Sequence, residues 1–131
     1  MKLNTTSQYA IRIMTHIVQN QTQKLFNAKV ISDILDIPYK YMTKIMSQLV
    51  EANIITSTRG REGGYALAKS PSSIHIVDLL EAVKECLHGK DCLLGVGLCS
   101  ETKKCALHDN WEVPKKSILS MFKDTTLADL I

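Results

Sequence analysis

The segment between residues 28 and 67 most constrains the fold, because two helical patterns in it are followed at once by a glycine-rich hairpin. Apolar residues at helical spacing predict a short helix from about Ala28 to Leu35. Pro38 then fits the first turn of a new helix that runs to about Ala52, since a residue in that turn needs no N–H donor. Two helices joined by a tight turn are typical of a helix-turn-helix.

A β-hairpin is predicted directly after these two helices. Ile54 to Ser57 are rich in β-branched residues, and Tyr65 to Leu67 return as a second strand. The loop between them, Arg59 to Gly64, contains three glycines, which permit the backbone angles of a turn. A hairpin in this position makes the helix-turn-helix a winged one.

Further helices are predicted on both sides of this unit. They run from about Thr5 to Asn20, from Ile76 to Cys86 and from about Trp111 to Lys123, and Thr126 to Asp129 fit a capping box. We therefore expect a mainly α fold with a small β-hairpin. Residues 1–70 form the winged helix-turn-helix, and residues 71–131 hold a cysteine loop (86–108) and a long C-terminal helix.

Charge is distributed unevenly along the chain. Residues 1–70 contain nine Lys and Arg against four Asp and Glu, whereas residues 71–131 contain seven against nine. A basic first half is typical of a module that binds a polyanion such as DNA. No apolar run approaches the roughly 18 residues of a membrane span, and no secretory signal opens the chain. We therefore expect a cytoplasmic protein with no membrane partner.

The third helix and the wing carry the predicted contacts to double-stranded DNA. A helix that enters the major groove needs donors and short side chains on its outer face, and a basic wing tip suits phosphate or the minor groove. The predicted DNA-binding residues are Tyr39, Lys40, Thr43, Lys44, Ser47, Arg59 and Arg61. Alternatively, the lysines form only a solvated face and the arginines only solubilise the hairpin. We expect one of Tyr39 and Tyr41 to be half-buried.

Four cysteines, Cys86, Cys92, Cys99 and Cys105, lie within twenty residues, and His108 follows closely. In the reducing cytoplasm, such a cluster favours metal or redox chemistry over disulfides. Thiolate and imidazole ligands suit iron–sulfur clusters, zinc or copper. A nucleophilic Cys–His pair is conceivable chemically, but no oxyanion donors or substrate pocket accompany it in the sequence, so we predict no enzyme.

The chain resembles the IscR/NsrR-type bacterial winged-helix transcription regulators over nearly its whole length. Residues 57–67, STRGREGGYAL, are similar to the RGxxGGYxL signature of that family, and residues 125–130, TTLADL, to its C-terminal ending. Tyr9-Ala10 and Ile37-Pro38 also match. The three cysteines and the histidine look like the ligands that this family uses for a cluster: Cys92, Cys99, Cys105 and His108.

The resemblance implies a homodimeric transcription regulator that binds a palindromic operator and acts as a repressor. A [2Fe–2S] cluster would set the operator affinity and would sense iron, redox state or nitric oxide. The last helix would pair with its copy. An apolar stripe on it independently offers a seam for pairing: Trp111, Ile118, Met121 and Phe122. Alternatively, this stripe packs on the chain's own first helix.

Two positions depart from the family pattern. The cysteine spacing is C-x6-C-x5-C, whereas IscR-like members often have five residues in both gaps. NsrR-like members bring an acidic ligand from the first helix of the partner, and the matching residue here is Gln8, a poor ligand. His108 matches the IscR pattern better. Cys86 lies outside the three-cysteine pattern and is not predicted to be a ligand.

Other functions are compatible with the same residues. Cys3His is an accepted zinc set, so a zinc site or a cluster-free thiol switch is the main alternative for the DNA-binding regulator. A small electron carrier or cluster-transfer protein is a third hypothesis. It would need no DNA, and the lysines of the third helix and the arginines of the wing speak against it.

Overall fold

The computed structural model describes residues 3–85, 102 and 104–131. The predictions for Cys86, Cys92 and Cys99 lie outside these residues. Seven regular elements follow one another along the described chain: α1 (Thr5–Gln19), α2 (Ala28–Leu35), α3 (Tyr39–Glu51), β1 (Ile55–Thr58), β2 (Gly64–Leu67), α4 (Ile76–Ala82) and α5 (His108–Asp124). Two short 3-10 helices, Pro71–Ser73 and Leu127–Leu130, precede α4 and end the chain. The predicted mainly α fold with a small hairpin is confirmed.

The helix-turn-helix forms because its two helices have clear ends. The Asn27 side chain accepts hydrogen bonds from the Lys29 and Val30 backbone N–H groups and so caps the start of α2. Asp36, in the left-handed conformation with φ 54°, ends α2, and Pro38 stands just before the first residue of α3. The turn between the two helices is therefore set by one left-handed residue and one proline.

The hairpin is antiparallel, with Ile55 opposite Leu67 and Thr58 opposite Gly64. Residue Phe26, just before α2, pairs with Tyr65 on the other side of β2. The Phe26 N–H donates to the Tyr65 carbonyl and the Tyr65 N–H to the Phe26 carbonyl, both at 2.8 Å. These two bonds attach the wing to the beginning of the helix-turn-helix.

One hydrophobic cluster contains residues from each of the α-helices α1 to α5. The buried apolar residues of α1 are Ala10, Ile13, Met14, Ile17 and Val18, and those of α3 are Met42, Ile45, Met46 and Leu49. Leu79 and Leu80 of α4, Phe122 of α5 and Leu127 belong to the same cluster. Burial of these apolar side chains is the main force that holds the helices together.

The C-terminal end of the chain is hydrogen-bonded to the beginning of α4. The Leu127 N–H donates to the Ile74 carbonyl and the Ile76 N–H to the Thr125 carbonyl, each at 2.9 Å. Leu127 is completely buried. The predicted capping box is present, because Thr126 N–H donates to the Asp129 carboxylate at 2.8 Å.

Two predicted helix boundaries are wrong. The fourth helix ends at Ala82 instead of Cys86, because Lys84 adopts the left-handed conformation with φ 62°. The last helix begins at His108 instead of about Trp111. Consequently Pro114 lies inside α5 rather than in its first turn. Because proline has no N–H, the helix lacks one backbone hydrogen bond at this position.

Candidate nucleic-acid interface and cysteine site

The outer face of α3 carries polar and basic side chains and no carboxylate before the last residue of the helix. The five residues predicted on this face are all exposed: Tyr39, Lys40, Thr43, Lys44 and Ser47. They alternate at helical spacing with the four buried residues of α3, so the core itself turns them outward. Thr43 donates from Oγ1 to the Lys40 carbonyl at 3.2 Å.

The expectation that one of Tyr39 and Tyr41 is half-buried agrees with Tyr41, which is 41% exposed, against 47% for Tyr39. Tyr41 packs on α1, since its ring centroid lies 6.0 Å from that of Tyr9. The Lys40 ammonium lies 5.1 Å from the Tyr41 ring centroid, within the range of a cation–π contact. Tyr41 therefore contacts both α1 and the ammonium end of Lys40, whereas Tyr39 is the more exposed of the two.

The wing holds its two arginines away from the core. Arg59 and Arg61 lie in the loop between β1 and β2, and both are exposed. The loop closes through a hydrogen bond from the Gly63 N–H to the Gly60 carbonyl at 3.1 Å. A Cβ on Gly63 would stand 2.0 Å from the Thr58 carbonyl oxygen, a backbone atom that cannot move aside. Glycine is therefore required at this position for the loop to close.

The structure also brings residues to the wing that the sequence pattern did not single out. Lys29, in the first turn of α2, and the hydroxyl residues Ser57 and Thr58 lie around one groove with Tyr39 and Arg59. This grouping depends on the Phe26–Tyr65 pairing, which joins segments far apart in the sequence. No local signal in the sequence could have revealed it.

Cys105 and His108 are the two predicted metal ligands within the described residues. The His108 N–H donates to the Cys105 carbonyl at 3.1 Å, so one tight turn holds both residues. Cys105 is half-buried and His108 is 7% exposed. His108 is also the first residue of α5. The soft and borderline donors of this pair suit an iron–sulfur cluster or zinc.

The described residues do not by themselves form a metal centre. Among them, no group of three or more His, Cys, Asp or Glu side chains converges on one point. Cys92 and Cys99 lie outside the described residues. The pair Cys105 and His108 therefore supplies half of the predicted ligand set.

The chain just before the cysteine loop is attached to the beginning of α1. The Glu85 carboxylate accepts hydrogen bonds from the Ser7 hydroxyl and from the Asn4 N–H, the latter at 3.2 Å. Ser7 is completely buried. Gln8, at the position of the acidic ligand in NsrR-like proteins, donates from Nε2 to the Leu3 carbonyl at 2.7 Å. Its side chain is therefore engaged within its own chain.

The predicted apolar stripe of α5 is divided between two faces. Phe122 is 8% exposed and belongs to the core, and Ile118 packs against that core. Met121 and Val113 face outward, with 52% and 71% of their surfaces exposed. Trp111 is intermediate. Part of the stripe therefore packs on the chain's own core, and a separate apolar surface remains on the outside of α5.

Within residues 3–85 and 104–131, no helix combines the length and the apolar character that crossing a bilayer requires.

Comparison with known proteins identifies relatives along the whole chain. The sequence model of the Rrf2 family, "Iron-dependent Transcriptional regulator", matches residues 3–131. A protein of Aquifex aeolicus that is classed by name with the HTH-type transcriptional regulators is 32% identical, over 100% of this chain and 92% of its own length. The HTH-type transcriptional regulator IscR of Klebsiella pneumoniae is 28% identical, over 100% of this chain and 80% of its own.

A solved structure has the same fold. CymR, the global cysteine regulator of B. subtilis, superposes with a TM-score of 0.81 at 22% identity, covering 99% of this chain and 95% of its own. The winged-helix architecture and the resemblance to IscR/NsrR-type regulators are thus confirmed.

Proposed function

We propose that this chain, which belongs to the Rrf2 family of transcriptional regulators and is not an enzyme, binds a palindromic operator as a homodimer and responds to an iron–sulfur cluster. The observation that carries DNA binding is the outer face of α3, which presents Lys40, Thr43, Lys44 and Ser47 beside the arginine wing. We expect the protein to act in the cytoplasm, where the DNA is.

α3 is the helix that suits the major groove. Lys40 and Lys44 offer donors to base edges or phosphates, and Thr43 and Ser47 are short enough for close approach. Arg59 and Arg61, in the loop of the wing, reach the neighbouring minor groove or its phosphates. The base contacts specify the sequence, and the phosphate contacts hold the orientation.

The outer surface of α5 supports the homodimer. Val113 and Met121 form an exposed apolar surface on the longest helix, which a second copy would cover. We expect such a dimer to present both α3 helices to one side of the duplex, which would require half-sites about one helical turn apart, roughly 34 Å.

For the cluster, we propose Cys92, Cys99, Cys105 and His108 as ligands. Three thiolates and one imidazole satisfy the four positions of a [2Fe–2S] cluster, which would supply a one-electron, oxidant-sensitive group. We expect the His108 imidazole to be released more easily than a thiolate, because it brings no negative charge to the iron. The turn that joins Cys105 to His108 keeps the two residues close to each other in the chain's fold.

Coupling between this site and DNA is supported by what lies at each end of the cysteine loop. His108 begins α5, the proposed dimer helix. At the other end, Glu85 is hydrogen-bonded to Ser7 and Asn4 at the start of α1. We infer that gain or loss of the cluster changes the forces on both helices and thereby the separation of the two α3 helices.

A cluster-free switch is the second candidate, and one observation favours it. Cys105-x2-His108 is the spacing of a structural zinc pair, and the two residues share a tight turn. The superposition with a regulator named for cysteine also indicates that this fold does not determine which signal is sensed.

The test is anaerobic purification, followed by a visible spectrum, iron and sulfide assays, and gel shifts of the loaded and stripped protein on promoter DNA. We expect a coloured protein whose operator affinity differs between the two forms. The variants C92S, C99S and C105S lose colour and response, whereas the control C86S keeps both. Colourless protein with stoichiometric zinc would overturn the cluster in favour of the second candidate, and no salt-dependent shift on any DNA would overturn DNA binding.

A further inference from the structure

A polar groove of about 410 Å³ lies between the first turn of α2, the first residue of α3 and the base of the wing. Its side-chain lining combines two cations with three hydroxyl groups: Lys29, Arg59, Tyr39, Ser57 and Thr58. Among the described residues that line it, none is acidic. Cations and hydroxyl donors bind phosphate oxygens, and no carboxylate in this lining competes for them.

The walls of this groove are held in place by backbone contacts. The two 2.8 Å hydrogen bonds between Phe26 and Tyr65 fix the beginning of α2 against β2. The approach is so close that a Cβ on Gly64 would stand 2.7 Å from the Phe26 carbonyl oxygen. The distance between the backbone of Lys29 and the wing is therefore fixed before any ligand binds. This preorganisation lowers the entropic cost of binding.

Lys29 is poised at the edge of the groove by weak contacts. Its ammonium lies 3.1 Å from the Asp33 carboxylate one turn along α2, and both side chains are more than 60% exposed. It also lies 5.6 Å from the Tyr39 ring centroid. An exposed ion pair of this kind contributes little stability, so Lys29 can exchange Asp33 for a stronger anion at small cost.

A second groove shares two of these residues but has the opposite character. It measures about 510 Å³ and is lined by Asp33 and Asp36 as well as Lys29 and Tyr39. Two carboxylates in its lining repel a polyanion. The charges therefore direct a bound phosphate toward the wing side of Lys29.

We propose that Lys29, together with Tyr39 and the residues at the base of the wing, binds one phosphate of the operator backbone in the first groove. This phosphate belongs to the strand that separates the major groove, where α3 lies, from the minor groove beside Arg59. The inference rests on the proposed DNA binding. It adds a contact from α2 that links the two elements already assigned to DNA.

The experiment compares operator affinity as a function of salt for wild type, K29A, K29R, D33N and K116A. Lys116 is the matched control, because it also pairs with an acidic residue one helical turn away, Glu112 at 3.7 Å, but on α5. We expect K29A to weaken binding on the order of tenfold, equally for operator and unrelated DNA. In K29A, the magnitude of the negative slope of log K against log salt concentration decreases by about 0.9 for each protomer bound. K29R keeps the wild-type slope, and D33N binds several-fold more tightly.

Phosphate-ethylation interference identifies the contact itself. Wild type should show interference at one phosphate in each half-site, and K29A should lose that signal while the others remain. If wild type binds DNA but K29A keeps the wild-type affinity, salt slope and interference pattern, the proposed phosphate contact is wrong while DNA binding stands. The same conclusion follows if K116A weakens DNA binding as much as K29A does. If wild type binds no DNA, the proposed function itself fails.

Discussion

At the scale of single residues, Gly63 decides whether the wing can close. A side chain there would collide with the Thr58 carbonyl oxygen at 2.0 Å, and that oxygen belongs to the backbone of β1. The collision can be relieved only if the strand or the loop moves. Because Arg59 and Arg61 are carried by the same loop, their positions depend on this one glycine.

We expect Gly63→Ala to weaken DNA binding by tenfold or more while the helices stay folded. The added methyl forces the loop open and displaces both arginines. Gel shifts measure the affinity and circular dichroism the helix content. Glu62→Ala, an exposed change in the same loop, is the control and should leave the wing intact; equal affinities for the two variants would contradict the steric argument.

A second single residue, Asp129, makes stability depend on pH. The Thr126 N–H and then the Thr126 hydroxyl donate to its carboxylate, and these bonds hold the pKa of Asp129 below its ordinary value of 3.8, with a smaller contribution from His75. A carboxyl whose pKa is lowered in the folded state stabilises that state when ionised. This stabilisation is present above the unfolded pKa and is lost as pH falls through the folded value.

Asp129→Asn should therefore reduce the free energy of unfolding at neutral pH, and the difference from wild type should shrink below about pH 3.8. Urea denaturation between pH 3 and pH 7 measures both curves. Asp124→Asn, which removes the same charge at the exposed end of α5, serves as the comparison. A difference between D129N and wild type that does not change with pH would rule out this linkage.

At the scale of elements, the contact between the end of α4 and the start of α1 joins segments far apart in the sequence. The Ser7 hydroxyl is buried and finds its acceptor in Glu85. A buried donor without an acceptor costs about 1–3 kcal/mol. The residue that leads into the cysteine loop thus contributes to the stability of α1.

Glu85→Ala should lower the free energy of unfolding by about 1–3 kcal/mol, because the Ser7 hydroxyl loses its acceptor. In a Ser7→Ala background, the same change should cost less, since no buried hydroxyl then needs a partner. Chemical denaturation of the double-mutant cycle measures the difference. Glu81→Ala, on the exposed side of α4, is the control; equal costs for E81A and E85A would show that the contact contributes nothing.

The boundaries of the elements show what sequence patterns can predict. The starts of α1 and α2 were predicted at the correct residues from apolar periodicity, and the structure shows that Asn4 and Asn27 cap these two helices. The end of α4 was missed, since no glycine or proline marks the left-handed Lys84. The start of α5 did carry a signal, the acidic Asp109 in its first turn, but the periodic apolar residues begin only at Trp111.

Only those parts of the candidate site that are formed by residues close together in the sequence could be predicted. The outer face of α3 and the wing loop follow from periodicity and turn residues that lie close together in the sequence. The groove beside Lys29 and the attachment of Glu85 depend on pairings between distant segments, Phe26 with Tyr65 and Ser7 with Glu85. Such pairings are set by packing of the whole chain, so no short window of sequence contains them.

At the scale of the whole molecule, α5 packs against the core with one face and exposes another face to solvent. Phe122 is buried at 8% exposure, whereas Val113, at 71%, and Met121 lie a little over two turns apart on the outside. Core packing and pairing with a second copy are therefore separable by mutation.

We expect Val113→Glu combined with Met121→Lys to convert the proposed dimer into a folded monomer, because two charges would be desolvated in the interface. Sedimentation velocity measures the mass, and circular dichroism checks the helices. Phe122→Ala should instead lower the stability of the fold by about 3–5 kcal/mol, since it leaves a cavity in the core. A double variant that stays dimeric would exclude this surface of α5 as the interface.

The attachment of Thr125 and Leu127 to the beginning of α4 also bears on how the protein is made. Leu127 is completely buried in the core, and its backbone N–H donates to the Ile74 carbonyl. We therefore expect the core to be completed during synthesis only after residue 127 has left the ribosomal exit tunnel. A nonsense codon at position 125 would release a polypeptide that contains the DNA-contacting elements yet lacks the piece that completes their support, and we expect cellular proteases to remove it.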